Sequence, residues 1–201
     1  MIKLIEHELM DKQRIRKIMR NKRASLSYEQ LNTAANNLAR NAQRFPALLA
    51  AKEIASYLSC NGEISTHALH KALTNANFFL PRINSFHRSS MQFHSANTKL
   101  IKNKFGIDEP IAMNPPKEIH SLDIILMPLV AFDRRKGNRL GMGGGFYDRA
   151  LAFRKQRQFI KRPLLVGLAH HFQEIEAITA ESWDIPLDAV LTDQELIKIS
   201  R

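Results

Sequence analysis

The sequence predicts an α/β fold: a three-layer sandwich with a largely parallel central sheet and helices on both faces, Rossmann-like in its layout. Two continuous apolar segments, 124–132 and 164–169, suit strands that are covered on both faces. Amphipathic helical stretches separate the strands, as βαβ units require. The sequence shows no internal repeat and no linker, so residues 1–201 are predicted to form a single domain.

The chain is predicted to begin with two helices. Residues 7–26 have two faces at helical spacing: an apolar face of Leu9, Ile15, Ile18 and Met19, and a basic face of Lys12, Arg16, Arg20 and Arg23. A capping box, in which Gln30 follows Ser27 by three residues, begins a second helix. Pro46 helps to end that helix.

Strands and helices then alternate along the chain. The segments predicted as strands are 52–58, 78–80, 91–94, 124–132, 164–169 and 189–191. After a polar turn at 59–63, Thr66 is predicted to cap a helix. Pro81 is predicted to end the strand over 78–80. A further helix is predicted over 146–157, and 183–186 is predicted to be a turn.

The charge of the chain favours an anionic partner. Thirty Lys and Arg residues against nineteen Asp and Glu residues give a formal net charge of +11. Such a surplus attracts nucleic acid, nucleotides or polycarboxylates, and composition alone leaves these classes open. The single cysteine, Cys60, fits a reducing cytosol. No apolar run approaches the ~20 residues of a membrane helix, so a cytoplasmic protein with no membrane partner is expected.

Five of the eight glycines lie within nine residues, 137–145, between an apolar strand and the start of a helix. In such a loop several backbone N–H groups can point at one anion. A Walker motif is excluded because no glycine precedes Lys-Ser or Lys-Thr, and Phe146 stands where the dinucleotide fingerprint needs its third glycine. A simple chain reversal would explain the glycines, but not Arg139, Tyr147 and Asp148 around them. The loop therefore predicts a phosphate site of another type.

Segments 127–133 and 137–149 together resemble the signature of the 5-formyltetrahydrofolate cyclo-ligase family, also called methenyltetrahydrofolate synthetases. Weaker matches follow the family's order at Lys12-x-x-x-Arg16, 56–66, 80–82, 106–110, 167–170 and 183–188. The likeness covers about residues 12–193 and leaves 1–11 as an N-terminal extension. It implies an ATP- and Mg²⁺-dependent ligase of one-carbon metabolism. Such an enzyme phosphorylates the formyl oxygen of 5-formyltetrahydrofolate, closes the ring to 5,10-methenyltetrahydrofolate, and releases ADP and phosphate.

The resemblance also implies roles for individual residues. The co-substrate ATP would be bound by Lys12, Arg16, Arg139, Leu140, Gly141, Met142, Gly143, Gly144, Gly145, Phe146 and Tyr147. Arg139 and Tyr147 of this set would be catalytic. The folate would contact Leu58, Glu63, Phe146 and Tyr147, and the Glu63 carboxylate would suit the paired N–H groups of the pterin. Asp148 and Asp188 would bind Mg²⁺.

Several of these residues have an ordinary alternative that the sequence leaves open. Lys12 and Arg16 could form a solvated basic face, and Asp188 could be a surface acid before the last strand. Some family members carry a lysine in the glycine loop, whereas this chain has Met142 and Gly144. The charge of the triphosphate would then be balanced by Mg²⁺, backbone N–H groups, Lys12 and Arg16.

Two functions from other classes also stay open at this point. A basic nucleic-acid-binding protein would use the glycine loop to hold backbone phosphate, and its affinity would fall steeply with salt. A paralogue could keep the fold and bind folate or nucleotide without turnover. The expected partners are ATP and 5-formyltetrahydrofolate, with or without a polyglutamate tail, rather than nucleic acid. A monomer or weak dimer is expected.

Overall fold

The computed structural model describes residues 12–84, 90–103, 106–156 and 162–200, so the predicted N-terminal extension, 1–11, lies outside the described residues. The helices are α1 (Lys12–Ala24), α2 (Tyr28–Ala42), α3 (Pro46–Ala50), α4 (His67–Ala72), α5 (Phe146–Ala150) and α6 (Phe153–Gln156). The strands are β1 (Glu53–Ala55), β2 (Asn77–Asn84), β3 (Ser90–Ser95), β4 (Leu100–Lys102), β5 (Asp108–Pro110), β6 (Ile124–Pro128), β7 (Ala131–Phe132), β8 (Arg139–Leu140), β9 (Leu164–Ala169), β10 (Ala189–Thr192) and β11 (Leu196–Lys198).

Seven of the strands form one sheet in the order β11-β10-β9-β6-β1-β2-β3. The five central strands run parallel, whereas β11 and β3 pair antiparallel at the two edges. Two small antiparallel pairs, β4–β5 and β7–β8, stand outside this sheet. The prediction of an α/β fold with a largely parallel sheet is confirmed.

Alternate residues of the central strands pack on opposite faces of the sheet. In β6, Ile124 and Leu126 belong to one apolar cluster, with residues of α2, α3 and α4. Ile125 and Met127 belong to a second cluster on the other face, together with Leu151. These four β6 residues are at most 2% exposed. Because both faces are covered, the strand is apolar at consecutive positions instead of alternating with polar residues.

Helix α1 packs on the small β7–β8 pair rather than on the main sheet. Its buried residues Ile15 and Met19 form a third apolar cluster with Val130, Ala131 and Leu140. Since β8 leads directly into the glycine loop, this cluster fixes the position of α1 beside that loop. The predicted apolar face of the first helix is therefore what brings Arg16 to the glycine loop.

The predicted helix starts are confirmed at one cap and corrected at another. The capping box forms, because Ser27 Oγ accepts from Gln30 N at 3.2 Å and Gln30 Oε1 accepts from Ser27 N at 2.8 Å. Thr66 precedes α4 but makes no side-chain cap. Its hydroxyl instead donates to the carbonyl oxygen of Tyr57 at 3.0 Å. That bond ties the start of α4 to the chain that follows β1.

Pro81 does not close β2, which continues to Asn84. Strand β1 pairs with β2 only over residues 77–79, so Pro81 lies beyond the end of β1. The missing N–H of proline therefore costs no bond to β1. On its other side β2 stays paired with β3, in a register that sets Pro81 opposite Phe93.

Two predicted elements are each divided in the structure. The strand predicted over 124–132 becomes β6 and β7, because the chain leaves the main sheet after Pro128. The amide of Gln173 donates to the carbonyl oxygens of Leu129 and Val130 at 2.8 and 2.9 Å, which satisfies groups that leave the ladder. The helix predicted over 146–157 becomes α5 and α6 within the described residues. It breaks where Leu151, at φ −100° and ψ 5°, is buried in the second cluster.

Candidate active site

The glycine loop joins β8 to α5 and has a backbone that side chains would not allow. Gly143 has φ +101° and Gly145 has φ +62°, both in the region that favours glycine. A Cβ atom at Gly144 would lie 2.6 Å from the Phe146 ring. Met142, Gly143 and Gly144 are exposed, so their backbone groups are open to a ligand. Gly143 and Gly145 are thus required by their backbone conformation, and Gly144 is required because a side chain has no space there.

Arg16 of α1 reaches this loop. Its Nε donates to the carbonyl oxygen of Gly141 at 2.9 Å, and its Nη2 lies 3.7 Å from where a Cβ at Gly143 would be. Lys12 instead pairs with Glu181 at 2.9 Å, with both side chains partly exposed. The two cations that the sequence assigned together to ATP therefore have different surroundings, and the guanidinium is the one in contact with the loop.

Arg139 points into the protein rather than toward the exposed rim of the loop. Its side chain is 6% exposed, and its Nη2 donates to Asp148 Oδ1 at 2.7 Å. Its Nη1 donates to the carbonyl oxygen of Ile185, whose N–H in turn donates to Asp148 Oδ1 at 3.1 Å. Arg139 and Asp148 thus fasten the start of α5 to the turn predicted at 183–186.

Sequence reasoning missed Arg149, a cation at the other end of the loop. Its guanidinium lies 5.1 Å from the centre of the Phe146 ring, and its Nη1 is 2.9 Å from where a Cβ at Gly145 would be. The sequence signal was its position four residues after Gly145, which is one helical turn. The glycine loop, which has no lysine, therefore lies between two arginines, Arg16 and Arg149.

Glu63 lies in the turn after β1, which was predicted to hold the folate. The turn uses positive φ angles at Asn61, 49°, and Gly62, 71°. Cys60 N donates to Glu63 Oε2 at 3.1 Å, and Arg23 Nη1 is 3.7 Å from Glu63 Oε1. Burial raises the pKa of Glu63, while the Cys60 amide and the Arg23 charge act to lower it. Leu58, half-buried, precedes this turn.

His170 supports the same turn from the opposite side. The residue is buried, and its Nε2 lies 3.1 Å from the carbonyl oxygen of Gly62. Burial lowers the pKa of His170, so the ring is neutral at pH 7 and its Nε2–H donates to that oxygen. The sequence match at 167–170 included this histidine but assigned it no role. Its partner is 108 positions away along the chain.

Tyr147 lies in the first turn of α5, directly after the glycine loop. Its hydroxyl is buried and has no hydrogen-bond partner among the described residues. Burial and the nearby Glu63 carboxylate raise the pKa of Tyr147, and the Arg139 charge opposes them. The hydroxyl is therefore a neutral, buried donor whose electrostatic surroundings include both Glu63 and Arg139.

Asp188 is engaged elsewhere, at the amino ends of the parallel strands. Its carboxylate accepts from Arg154 at 2.9 and 3.3 Å and from the amide of Leu165, near the start of β9, at 2.8 Å. Asp148 instead accepts from Arg139 and from the amide of Ile185, so the two acids predicted to share Mg²⁺ pair with different arginines. These contacts give Asp188 a structural role, and its side chain is only 17% exposed, so it is not the surface acid that the sequence left open as the alternative.

A second polar cluster occurs beside a surface cleft of about 520 Å³ near Arg134 and Phe172. Within the described ranges, ligand atoms of His171, Glu174 and Glu195 lie within 4.8 Å of one another, as metal ligands can. Arg134 donates to both carboxylates, however, with its Nη2 2.7 Å from an oxygen of each. The Arg134 guanidinium therefore already occupies this cluster. The cleft is lined by residues that the sequence did not single out.

A model of the 5-formyltetrahydrofolate cyclo-ligase family matches residues 8–193. This chain belongs to that family. It is 40% identical over 185 residues to the 5-formyltetrahydrofolate cyclo-ligase of Haemophilus influenzae, across 90% of this chain and 96% of that protein. It is 34% identical over 184 residues to the 5-formyltetrahydrofolate cyclo-ligase of Escherichia coli K12, across 89% and 98%.

The cyclo-ligase fold is also recognised in three dimensions. The structure is similar to the NMR structure of Aquifex aeolicus 5,10-methenyltetrahydrofolate synthetase, with a TM-score of 0.78 and 28% identity over 94% of this chain and 93% of that one. Family membership confirms the expectation of an enzyme of the ligase class. None of the described helices combines the length and apolar character needed to cross a membrane. The residue assignments within the site stay predictions.

Proposed function

We propose that this cyclo-ligase family member uses ATP and Mg²⁺ to close 5-formyltetrahydrofolate to 5,10-methenyltetrahydrofolate, with release of ADP and phosphate. The backbone of Gly141 to Gly145, together with Arg16 and Arg149, would hold the triphosphate. Glu63 would accept from the pterin N–H groups. Leu58 and Phe146 would supply apolar contact to the folate.

The position of Tyr147 is the observation that carries this proposal. Its residue lies at the end of the glycine loop, and its hydroxyl is buried without a partner among the described residues. The same hydroxyl feels the charge of Glu63 from a different part of the chain. A buried donor left unpaired is costly, so a ligand that accepts its hydrogen bond is expected there. The formyl oxygen or a phosphoryl oxygen would be such an acceptor.

The chemistry explains why one site must hold both substrates. The formyl oxygen of an amide is a poor leaving group, so it attacks the γ-phosphorus and ADP departs. N10 of the folate then attacks the formyl carbon, loses its proton, and the former formyl oxygen leaves as phosphate. Positioning and charge stabilisation account for most of phosphoryl-transfer catalysis. The arginines beside the loop and the Tyr147 hydroxyl would supply that stabilisation, while Arg139 orients Asp148.

The residues near the loop supply one carboxylate for Mg²⁺ rather than two. Both described hydrogen bonds to Asp148 end on Oδ1, which leaves Oδ2 available. Magnesium commonly takes one or two protein carboxylates together with substrate phosphates. Asp148 would therefore hold the ion, which when bound neutralises charge on the β- and γ-phosphates. Asp188 is committed to Arg154 and Leu165 and is left out of this proposal.

The test is to mix the protein, Mg-ATP and 5-formyltetrahydrofolate and to follow the absorbance of the methenyl product. Wild type should form product only when ATP is present, and Asp148→Ala should lose at least 100-fold in kcat/KM, about 2.7 kcal/mol. Asp108→Asn is the matched control, since Asp108 is an exposed acid of β5 with a partner outside the site. Absence of ATP-dependent product from wild type would overturn the proposal.

The same assay separates this function from its alternatives. Turnover that persists at a salt concentration that abolishes nucleic-acid binding excludes backbone phosphate as the main ligand. A paralogue without activity would bind folate or nucleotide and give no product. A single domain over 1–201, the cytoplasmic location, and a monomer or weak dimer stay predictions.

A further inference from the structure

Arg23, near the end of α1, is a charged side chain that the proposed chemistry does not use. Its side chain is 1% exposed, although arginine is among the residues least often buried. Its Nε and Nη1 have no hydrogen-bond partner among the described residues. A buried cation is expensive unless an opposite charge compensates for it, so the identity of its counter-charge matters.

The counter-charge is Glu63. The ion pair of 3.7 Å between Arg23 Nη1 and Glu63 Oε1 joins α1 to the turn at 59–63, which we call the folate turn. The Glu63 side chain is only 11% exposed. The distance is too long for a hydrogen bond, so the contact is electrostatic. The other oxygen of Glu63 accepts from Cys60 N at 3.1 Å. Oε1 therefore accepts no hydrogen bond from a described residue and has capacity for a further donor.

The backbone holds this pair at its distance. Gly62, at φ +71°, packs so closely on α1 that a Cβ there would lie 2.8 Å from the carbonyl oxygen of Arg23. On its far side the same turn contacts His170 through the Gly62 carbonyl oxygen, at 3.1 Å. The turn is thus clamped between α1 and the end of β9. Water therefore cannot take the place of the Arg23 side chain unless α1 or the turn moves.

We propose that Arg23 is a positioning residue for substrate binding, which keeps the buried Glu63 ionised and aimed at the pterin N–H groups. The proposal rests on the proposed function, since it assigns Glu63 to the folate. Arg16 and Arg23 lie seven residues apart, two helical turns or roughly 10 Å along α1. One helix would therefore serve both substrates, with Arg16 at the phosphate loop and Arg23 at the folate turn.

Several titratable groups face Glu63 from the packed elements, but they do not titrate near neutrality. Burial raises the pKa of Tyr57 and of Tyr147 well above 10, and it raises the pKa of Cys60 to about 11. Burial lowers the pKa of His170 below its usual 6.5. Glu63 differs from these groups because burial raises its pKa from the ordinary carboxyl range toward neutrality, so a change in the pH profile of folate binding on loss of the Arg23 charge reports Glu63 among the described groups.

The experiment measures the KM for 5-formyltetrahydrofolate and for ATP from pH 6 to pH 9. Arg23→Met keeps the unbranched stem of the side chain as far as the position of Nε and removes the charge, so its folate KM should rise at least tenfold at pH 7. Loss of the cation raises the pKa of Glu63, so folate binding should recover as the pH increases, with the profile moved to higher pH than that of wild type. The ATP KM should stay within twofold, and Arg23→Lys should restore most of the binding.

Glu63→Gln provides the control for a merely structural effect. A glutamine cannot ionise, so adding Arg23→Met to it should change the folate KM by less than threefold and should leave the pH profile flat. An equal loss in both backgrounds, or an unshifted profile in Arg23→Met, would overturn the proposal. If Arg23→Met does not fold, Arg23→Lys decides, since a retained charge must retain the wild-type profile. Wild-type turnover with unchanged Arg23 variants would reject this inference alone, whereas no wild-type turnover would reject the proposed function with it.

Discussion

Replacing Arg16 by alanine is expected to weaken ATP binding more than any other change of one basic residue on α1. Arg16 is the side chain of this helix that bonds to the glycine loop, through Nε and the Gly141 carbonyl oxygen at 2.9 Å. The helix itself is anchored on the β7–β8 pair through Ile15 and Met19, so it should remain in place in the variant.

The size of the effect follows from what the alanine removes. In the proposed function the guanidinium also contacts the triphosphate, and a hydrogen bond that involves a charged group contributes about 1.5–3 kcal/mol. The lost bond to Gly141 in addition leaves the loop less firmly positioned. Because about 1.4 kcal/mol corresponds to a factor of ten, the ATP KM should rise at least about tenfold. The folate KM should change little, since Arg16 contacts the loop and not the Glu63 turn.

The assay is initial-rate formation of methenyl product at saturating folate with ATP varied. Arg14→Ala is the matched control, because Arg14 is an exposed arginine of the same helix. Arg16→Lys should give an intermediate KM, since lysine keeps the charge but not the planar guanidinium. Lys12→Ala should change the ATP KM less than threefold, as partly exposed pairs such as Lys12–Glu181 are worth about 0–1 kcal/mol.

An ATP KM for Arg16→Ala within twofold of the Arg14→Ala value would refute the reasoning. It would mean that the Gly141 contact only positions the loop and that the triphosphate charge is balanced without Arg16.

The remaining predictions concern the loop, Asp188 and the response to acid. Gly143→Ala should raise the ATP KM severalfold, whereas Gly106→Ala, also at positive φ (+75°) but in open space, should only lower stability by about 1 kcal/mol; equal KM values would contradict the loop's role. Asp188→Asn should lower the Tm by a few degrees, about 2–4 °C per kcal/mol, and leave the Mg²⁺ requirement for turnover unchanged; a changed Mg²⁺ requirement would return this residue to the metal site. Burial lowers the pKa of His70 from 6.5 to about 4, so between these pH values the unfolded chain binds a proton at His70 that the native chain does not bind. Stability should therefore fall as the pH drops from 6.5 to 4, and denaturant unfolding of His70→Gln should show a smaller fall; an identical pH dependence would show that other groups cause it.

Much of the fold follows from local sequence patterns. The consecutive apolar residues of 124–127 and 164–169 predict strands buried on both faces, since only such strands exclude polar residues from alternate positions. The Ser27–Gln30 cap is likewise local, because both partners are three residues apart. Element ends were less predictable. Pro81 is tolerated within β2 because the neighbouring strand β1 ends before it. The end of β2 therefore depends on the neighbouring strand and not on the proline itself.

The glycine loop shows where the sequence by itself was sufficient and where it was not. Its composition determined that the backbone would adopt positive φ and expose N–H groups, and its flanking residues determined the resemblance to a cyclo-ligase. The charges around it depended on packing. Arg16 and Gly141 are 125 positions apart, and they meet because the apolar face of α1 packs on β7 and β8.

The tertiary structure also separated residues that the sequence had grouped. Arg16, Arg20 and Arg23 were predicted to share one basic face, yet Arg20 is exposed, Arg16 touches the phosphate loop and Arg23 is buried against Glu63. Asp148 and Asp188 were assigned to one metal, but each accepts from a different arginine. Periodicity along a helix or strand fixes which face a side chain occupies, whereas its partner is fixed by the element that packs on that face. The sequence thus determined the fold class, the family and the glycine loop, and only the tertiary structure decided that Arg16 contacts that loop while Arg23 pairs with Glu63.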